Sequence, residues 1–177
     1  MTDVRNPGGD ASDPRDGMVA AGFSSFDVAD YGSGAAGILD LQTVDFRGYH
    51  AVVVASDQGG WLRQEELDIL NARRATLLDY LNGGGGIVAF SKSGGDDGTS
   101  GAQRDRFLFV PYAVRVIPIL QSEVGFSVTP FGQLLGLSGS DVRGNYSHGY
   151  FSAEGGMELV AVDQDGRPVA LGQRGRP

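Results

Sequence analysis

The chain has 177 residues, of which 41% are hydrophobic and 20% are charged, a composition typical of one folded domain with its own core. Its net charge of −8 argues against sequence-independent binding to nucleic acid, which requires a basic surface. The absence of cysteine excludes disulfides, thiolate catalysis and zinc–thiolate sites.

The amino-terminal segment 1–17 is rich in Asp, Pro and Gly and almost free of apolar residues. We therefore predict a flexible tail, followed by a single domain over 18–177. The segment lacks the apolar stretch of a signal peptide, which leaves a cytoplasmic protein or an exported one whose signal lies outside this sequence. No run of about 18 apolar residues occurs, so the sequence predicts no membrane span.

Two later segments have the composition of buried strands, after a first strand predicted over 25–29. HAVVVASD at 50–57 and GIVAF at 86–90 are apolar runs flanked by glycine, which is typical of strands buried on both faces. Leucines at helical spacing from 67 to 81 predict one amphipathic helix between them, with a left-handed cap at Asn82–Gly83. A strand, a helix and a strand form a right-handed βαβ unit, so the sequence predicts an α/β fold, a three-layer sandwich around a mainly parallel, flavodoxin-like sheet.

The last third of the chain predicts shorter elements. The segment at 107–120 is strand-like but interrupted by two prolines, which favours edge strands or bends. TPFGQLLGL at 129–137 predicts a short helix with proline at its first position. The final segment, 157–173, predicts a C-terminal β-hairpin around the turn Asp163–Gly166.

The segments YHAVVVASDQGGWL and GGGGIVAFS, with the helix between them, resemble the class I glutamine amidotransferase-like superfamily. The closest likeness is to its ThuA-like members, which lack the amidotransferase cysteine. The resemblance implies an amidotransferase-like sheet, an oxyanion hole near Gly59 and Gly60, and a nucleophile elbow at Ser91. This chain departs from the pattern, because it has no cysteine and no glycine two residues before Ser91.

A nucleophile at Ser91 requires a neighbouring base. His50 opens a predicted buried strand and is poorly placed, whereas His148 lies downstream of the elbow, where the superfamily keeps its catalytic histidine. One interpretation is a hydrolytic Ser91–His148 pair, with Asp141 or Glu154 orienting the imidazole ring. The alternative is that Ser91 ends a strand and His148 makes a structural hydrogen bond in a loop.

In parallel sheets the ligand crevice lies beyond the carboxyl ends of the strands, so we expect any small-molecule site there, beside Ser91. The residues gathered at this edge are Ser56, Asp57, Gly59, Gly60, Lys92 and Ser93. The acidic loops at 94–101 and 163–166 lack the ligand pattern of a calcium site, and glycines 83–86 lack the order of a phosphate-binding loop. We therefore expect neither a metal nor a cofactor.

The sequence thus favours a non-enzymatic module that binds a ligand or serves as a structural or assembly component. Its partner would be an unknown small molecule or a second copy of the chain. One alternative is a serine hydrolase or amidase with Ser91 as nucleophile and His148 as base. A second alternative, a ThuA-like carbohydrate-related enzyme, follows from the resemblance alone.

Overall fold

The computed structural model describes residues 13–56, 62–91, 106–122, 125–142, 147–152 and 155–173. Its helices are α1 (Asp13–Ala20), α2 (Gln64–Ala72), α3 (Arg74–Asn82) and α4 (Pro130–Leu134), with a 3₁₀ turn at Phe46–Gly48. Its strands are β1 (Val28–Asp30), β2 (Ile38–Asp40), β3 (Ala51–Val54), β4 (Gly86–Ala89), β5 (Arg115–Ser122), β6 (Ser127–Val128), β7 (Ser147–Ser152), β8 (Glu158–Val162) and β9 (Pro168–Gly172). Residues 13–17 of the predicted tail belong to α1, and residues 1–12 lie outside the described ranges.

The first four strands form two parallel pairs. β1 pairs with β2, and β3 pairs with β4 in the register Ala51↔Gly86 to Val54↔Ala89. The second pair is the predicted βαβ unit, because α2 and α3 connect its strands. The first pair is connected by residues 31–37 alone, which is sufficient because a three-residue strand is only about 10 Å long.

The predicted three-layer sandwich with a mainly parallel, flavodoxin-like or amidotransferase-like sheet is wrong. The described strands form four small sheets, β1–β2, β3–β4, β5–β7 and β6–β8–β9, of which the last two are antiparallel. Apart from very short strands such as β1 and β2, parallel neighbours usually need a crossover of a dozen or more residues, commonly a helix. The described residues after β4 contain a single helix, the five-residue α4. The prediction therefore extended one βαβ unit into a region whose described residues supply no second crossover helix.

The C-terminal hairpin itself is present, since β8 and β9 pair antiparallel. Asp163 organises its turn: Oδ1 accepts hydrogen bonds from the backbone N–H groups of Asp165 and Arg167, each at 2.9 Å, and Oδ2 accepts from Arg167 Nε at 2.7 Å. These are ordinary turn interactions of an aspartate. The predicted helix also starts with Pro130 at its first position, and Thr129 is its N-cap.

The predicted single helix over 67–81 is two helices, separated at Arg73. The ψ angle of Arg73 is 14°, far from the helical value of about −42°. Its guanidinium donates hydrogen bonds to the carbonyls of Leu41 and Val44 and lies 4.4 Å from the centroid of the Phe46 ring. The break in the helix thus places a cation where it anchors the segment between β2 and β3.

Strands β3 and β4 are not buried on both faces, contrary to the prediction. Register partners share a face of a sheet, and Val52 and its partner Ile87 both pack against the core. On the other face Val88 is 49% exposed, and Phe90, just after β4, is 56% exposed. The described elements therefore cover one face of this pair and leave part of the other in solvent.

The glycine run before β4 contains two positions with specific requirements. Gly84 adopts φ +93°, in the left-handed region that glycine tolerates, whereas Gly83, the predicted left-handed cap, has φ −79°. A Cβ on Gly85 would lie 2.2 Å from the Tyr80 ring. Glycine is therefore required at 84 by the backbone conformation and at 85 by close packing.

One hydrophobic core joins α2, α3, the β3–β4 pair and the segment at 107–109. Its buried side chains are Leu41, Phe46, Val54, Leu62, Leu67, Leu70, Leu77, Tyr80, Phe107 and Phe109. Phe151 of β7 packs edge-on against Phe107, with 5.6 Å between ring centroids, so the antiparallel β5–β7 pair covers the same core. None of the helices in the described ranges is long and apolar enough to cross a membrane.

Candidate functional site

Two of the residues predicted at the sheet edge are described, Ser56 and Ser91. The backbone N–H of Phe90 donates to the carbonyl of Val54 at 3.0 Å, so the β3–β4 pairing continues one residue past β4. Because the strands are parallel, Ser56 and Ser91 follow two adjacent strand ends at the same edge. The other predicted ligand contacts, Asp57, Gly59, Gly60, Lys92 and Ser93, lie outside the described residues.

Ser91 faces an arginine. Arg106 Nη1 lies 3.3 Å from Ser91 Oγ and donates a hydrogen bond to it, and a guanidinium cannot accept the proton that a serine nucleophile must lose. The hollow beside them, lined by Leu62 and Phe107 among others, has a volume of about 10 Å³. A hollow of that size holds at most about one water molecule.

The proposed base, His148, lies in β7, which pairs with β5 and not with the β3–β4 unit. The side chain of His148 lies outside the described residues, as does Glu154. The other residue considered for orienting the ring, Asp141, is exposed, and its carboxylate accepts hydrogen bonds from the N–H and hydroxyl of Ser138, each at 2.7 Å. These bonds lower the pKa of Asp141.

A buried charged cluster, which the sequence did not single out, joins the end of β1 to the start of α2. Arg63 Nη2 lies 3.3 Å from Asp30 Oδ1, 2.9 Å from Glu66 Oε1 and 2.6 Å from the carbonyl of Tyr31. Glu66 Oε2 also accepts from the backbone N–H of Arg63 at 2.9 Å, as in a capping box. The spacing of Arg63 and Glu66 is visible in the sequence, but their partner is 33 residues earlier and needs the fold.

The cluster holds two carboxyl groups against one guanidinium. Burial raises the pKa of Glu66 and a hydrogen bond with Asp30 raises it further, while Arg63 opposes both effects. Asp30 Oδ2 is buried without a hydrogen-bond donor among the described residues. Neither carboxyl lines either of the two described cavities. We therefore interpret the cluster as a structural contact between β1 and α2.

The larger of the two cavities described lies between the two parallel strand pairs, with a volume of about 130 Å³. We call it the inter-sheet cavity. It is lined by residues of α1, of β1 and the segment before it, of β2 and the segment between β2 and β3, and of β3, together with Leu70 of α2. The deep part is buried hydrocarbon, with Leu41, Phe46 and Val54 on its wall.

Three polar side chains mark the mouth of the inter-sheet cavity. Arg15 and Asp27 line it and are exposed, and Tyr49 is half-buried. Tyr49 Oη donates to Asp27 Oδ2 at 2.6 Å, which joins the residues just before β3 and β1. At the carboxyl end of β1, Asp30 pairs with Arg63 at the start of α2, so both ends of β1 contact the unit formed by β3, α2, α3 and β4.

Sequence reasoning missed this cavity because it placed the parallel strands in one continuous sheet, with the ligand crevice at their carboxyl ends. The polar mouth lies instead near the amino ends of β1 and β3. Asp27 and Tyr49 each precede a short apolar strand, but that pattern is too common to predict a site. The gap between the pairs is a property of the tertiary structure.

Comparisons of the chain with protein-family models, with curated proteins and with solved structures found no match. The candidate sites therefore depend on their own geometry.

Proposed function

We propose that this protein is a non-enzymatic binding module that holds a small, mainly apolar ligand in the inter-sheet cavity. One observation supports it above the others: a hollow of about 130 Å³ with a buried apolar wall and a few polar side chains at its mouth. Largely apolar concavities with a few placed polar groups are the usual form of a small-molecule site.

The volume limits the size of the ligand. An engineered apolar cavity of roughly 150 Å³ binds benzene, so the inter-sheet cavity suits one aromatic ring or a short branched chain. Transfer of such a group from water is favourable by about 25 cal/mol for each Å² of apolar surface buried. Binding a molecule of this size requires no reactive side chain in the cavity, which agrees with a non-enzymatic function.

The chemistry of the lining favours this function over both enzymatic alternatives. A sugar has hydroxyl groups that need hydrogen-bond partners when buried, and the deep wall formed by Leu41, Phe46 and Val54 is hydrocarbon. A serine hydrolase needs a base and space for an acyl group beside its nucleophile. Ser91 instead has the donor Arg106 and a hollow of about 10 Å³ beside it.

Binding is tested with toluene as the probe and the methyl NMR signals of the intact chain as the readout. We expect toluene to shift the methyl signals of Leu39 and Val52, which line the cavity, in a saturable manner. Val52→Phe fills the space and should abolish the shifts. Val88→Phe is the matched control, because the same substitution lies on an exposed face and should leave toluene binding unchanged.

Circular dichroism establishes that each variant is folded, and Val28→Phe replaces Val52→Phe if the latter does not fold. The proposal fails if toluene shifts none of the methyl groups that line the cavity. It also fails if the two valine variants bind toluene equally.

A further inference from the structure

We infer that the ligand of the inter-sheet cavity is a small zwitterion with an apolar body, of the kind represented by an α-amino acid with a branched or aromatic side chain. This inference rests on the proposed function and adds the chemical class of the ligand. It comes from the juxtaposition of two opposite charges at the mouth with an apolar interior.

The negative charge at the mouth is Asp27. Its Oδ2 accepts the hydroxyl of Tyr49 at 2.6 Å, which holds the carboxylate in place. Among the bonds and ion pairs of the described residues, Asp27 has the Tyr49 hydroxyl at Oδ2 and none at Oδ1 or with Arg15. The carboxylate therefore retains an acceptor for a ligand ammonium group.

The positive charge is Arg15, on α1. Arg15 and Met18 both line the cavity, and residues three apart lie on the same face of a helix. The helix therefore presents an apolar thioether and a guanidinium to the opening. A guanidinium binds a carboxylate with two parallel hydrogen bonds when the geometry allows.

The interior completes the match. A ligand with both charges at the mouth extends its side chain toward Leu41, Val54 and Leu70, which are buried. The volume of about 130 Å³ is close to that of an engineered cavity that binds benzene. It therefore suits the side chain of leucine, isoleucine or phenylalanine. Polar amino acids are disfavoured, since their side chains would lose hydrogen bonds to water.

The inference is tested by calorimetric titration of the full chain with leucine and two analogues that each lack one charge. Isocaproate lacks the ammonium group and isoamylamine lacks the carboxylate. We expect leucine to bind up to about fivefold more tightly than either analogue, as one exposed ion pair allows.

Two variants test whether Asp27 binds the ammonium group of leucine and Arg15 binds its carboxylate. Asp27→Asn should bring the affinity for leucine down to that for isocaproate, and Arg15→Gln should bring it down to that for isoamylamine. Asparagine can still accept the Tyr49 hydroxyl, so the wall is preserved. Asp79→Asn and Arg115→Gln make the same charge changes at exposed positions that do not line the cavity, and should bind leucine as the wild type does.

The outcomes separate this inference from the proposed function. If toluene binds and leucine does not, the zwitterion is excluded and the apolar site remains. If leucine binds equally well to Asp27→Asn, Arg15→Gln and the wild type, recognition of its charges is also excluded. If neither toluene nor leucine binds, both proposals are wrong.

Discussion

Tyr49 donates its phenolic hydrogen bond to Asp27 Oδ2 at 2.6 Å, and this contact connects the residues just before β3 and β1, two strands that belong to different sheets. At the carboxyl end of β1, Asp30 Oδ1 lies 3.3 Å from Arg63 Nη2, at the start of α2. Side-chain contacts therefore connect both ends of β1 to the unit that contains β3.

Replacing Asp27 should shift the titration of Tyr49. The hydrogen bond to Asp27 raises the pKa of Tyr49, with smaller contributions from desolvation and from the charge of Asp27. Asp27→Asn removes the charge, so the phenol should ionise at a lower pH than in the wild type. Phenolate absorbance measures the change, and the difference from Tyr49→Phe isolates this residue among the tyrosines. An unchanged midpoint would show that the contact is absent in solution.

Glu66→Gln should alter how stability depends on pH. Because burial raises the pKa of Glu66 in the folded chain, its stabilising contribution is fully present below the unfolded pKa of about 4.3. That contribution is lost as the pH rises through the higher folded pKa. Glutamine does not titrate, so the variant should gain stability relative to the wild type between acid and neutral pH.

Urea unfolding at a series of pH values measures this difference. Glu65→Gln is the matched control, because Glu65 lies in the same helical turn and is exposed. Its unfolding free energy should follow that of the wild type across the series. A difference between Glu66→Gln and wild type that stays constant with pH would contradict a raised pKa.

Asp163→Ala should destabilise the chain by about 1–3 kcal/mol, because it removes a buried carboxylate that accepts three hydrogen bonds at the hairpin turn. Asp165 is half-exposed and pairs with the same Arg167 at 2.8 Å, so Asp165→Ala should cost less than about 1 kcal/mol. Chemical denaturation compares the two variants. Equal losses would mean that the buried carboxylate is not the centre of the turn.

The ionisation of Asp163 has the opposite effect on stability to that of Glu66. Burial alone would raise the pKa of Asp163, but hydrogen bonds from Arg167 and Asp165 outweigh burial and lower it. Stability from Asp163 is therefore present above its unfolded pKa and lost as the pH falls through the lower folded value. In a plot of unfolding free energy against pH, Asp163→Ala should lose less stability than the wild type as the pH falls. Near neutral pH the two plots should run parallel.

Gly85→Ala should destabilise the chain by about 1–3 kcal/mol, because the new methyl group would lie 2.2 Å from the Tyr80 ring. Gly86→Ala is the control within the same glycine run, since its methyl group would meet its neighbours at 3.7 Å. Thermal unfolding should show a loss for the first variant and little change for the second. If the two melt alike, Tyr80 does not pack on this backbone.

Ser91 should not react with a fluorophosphonate probe. Its hydroxyl accepts a hydrogen bond from Arg106, and a guanidinium cannot accept the proton that the serine must lose. Ser91→Ala should therefore change neither probe labelling nor the fold. Mass spectrometry of the treated chain measures labelling. Modification that disappears in both Ser91→Ala and His148→Ala would instead support the hydrolase alternative.

Several local features were predictable because they depend on residues close together in the chain. Alternation of strand and helix composition located β3, the helical leucines and β4, and proline at position 130 located the start of α4. Turn residues around Asp163 predicted the hairpin, since its chemistry involves neighbours within four positions. Of the predicted sheet-edge site, Ser56 and Ser91 follow adjacent parallel strands, as the βαβ unit requires.

What the amino-acid sequence determined by itself was therefore local structure: which segments form strands, which form helices, and where the chain turns. Only the tertiary structure decided that the described strands divide among four sheets, that one helix breaks at Arg73, and that a cavity lies between β1 and β3. The contacts responsible, Tyr49 with Asp27 and Arg63 with Asp30, span 22 and 33 positions. Hydrophobic periodicity reports which face of an element is buried, but contains no information on which distant partner will cover it.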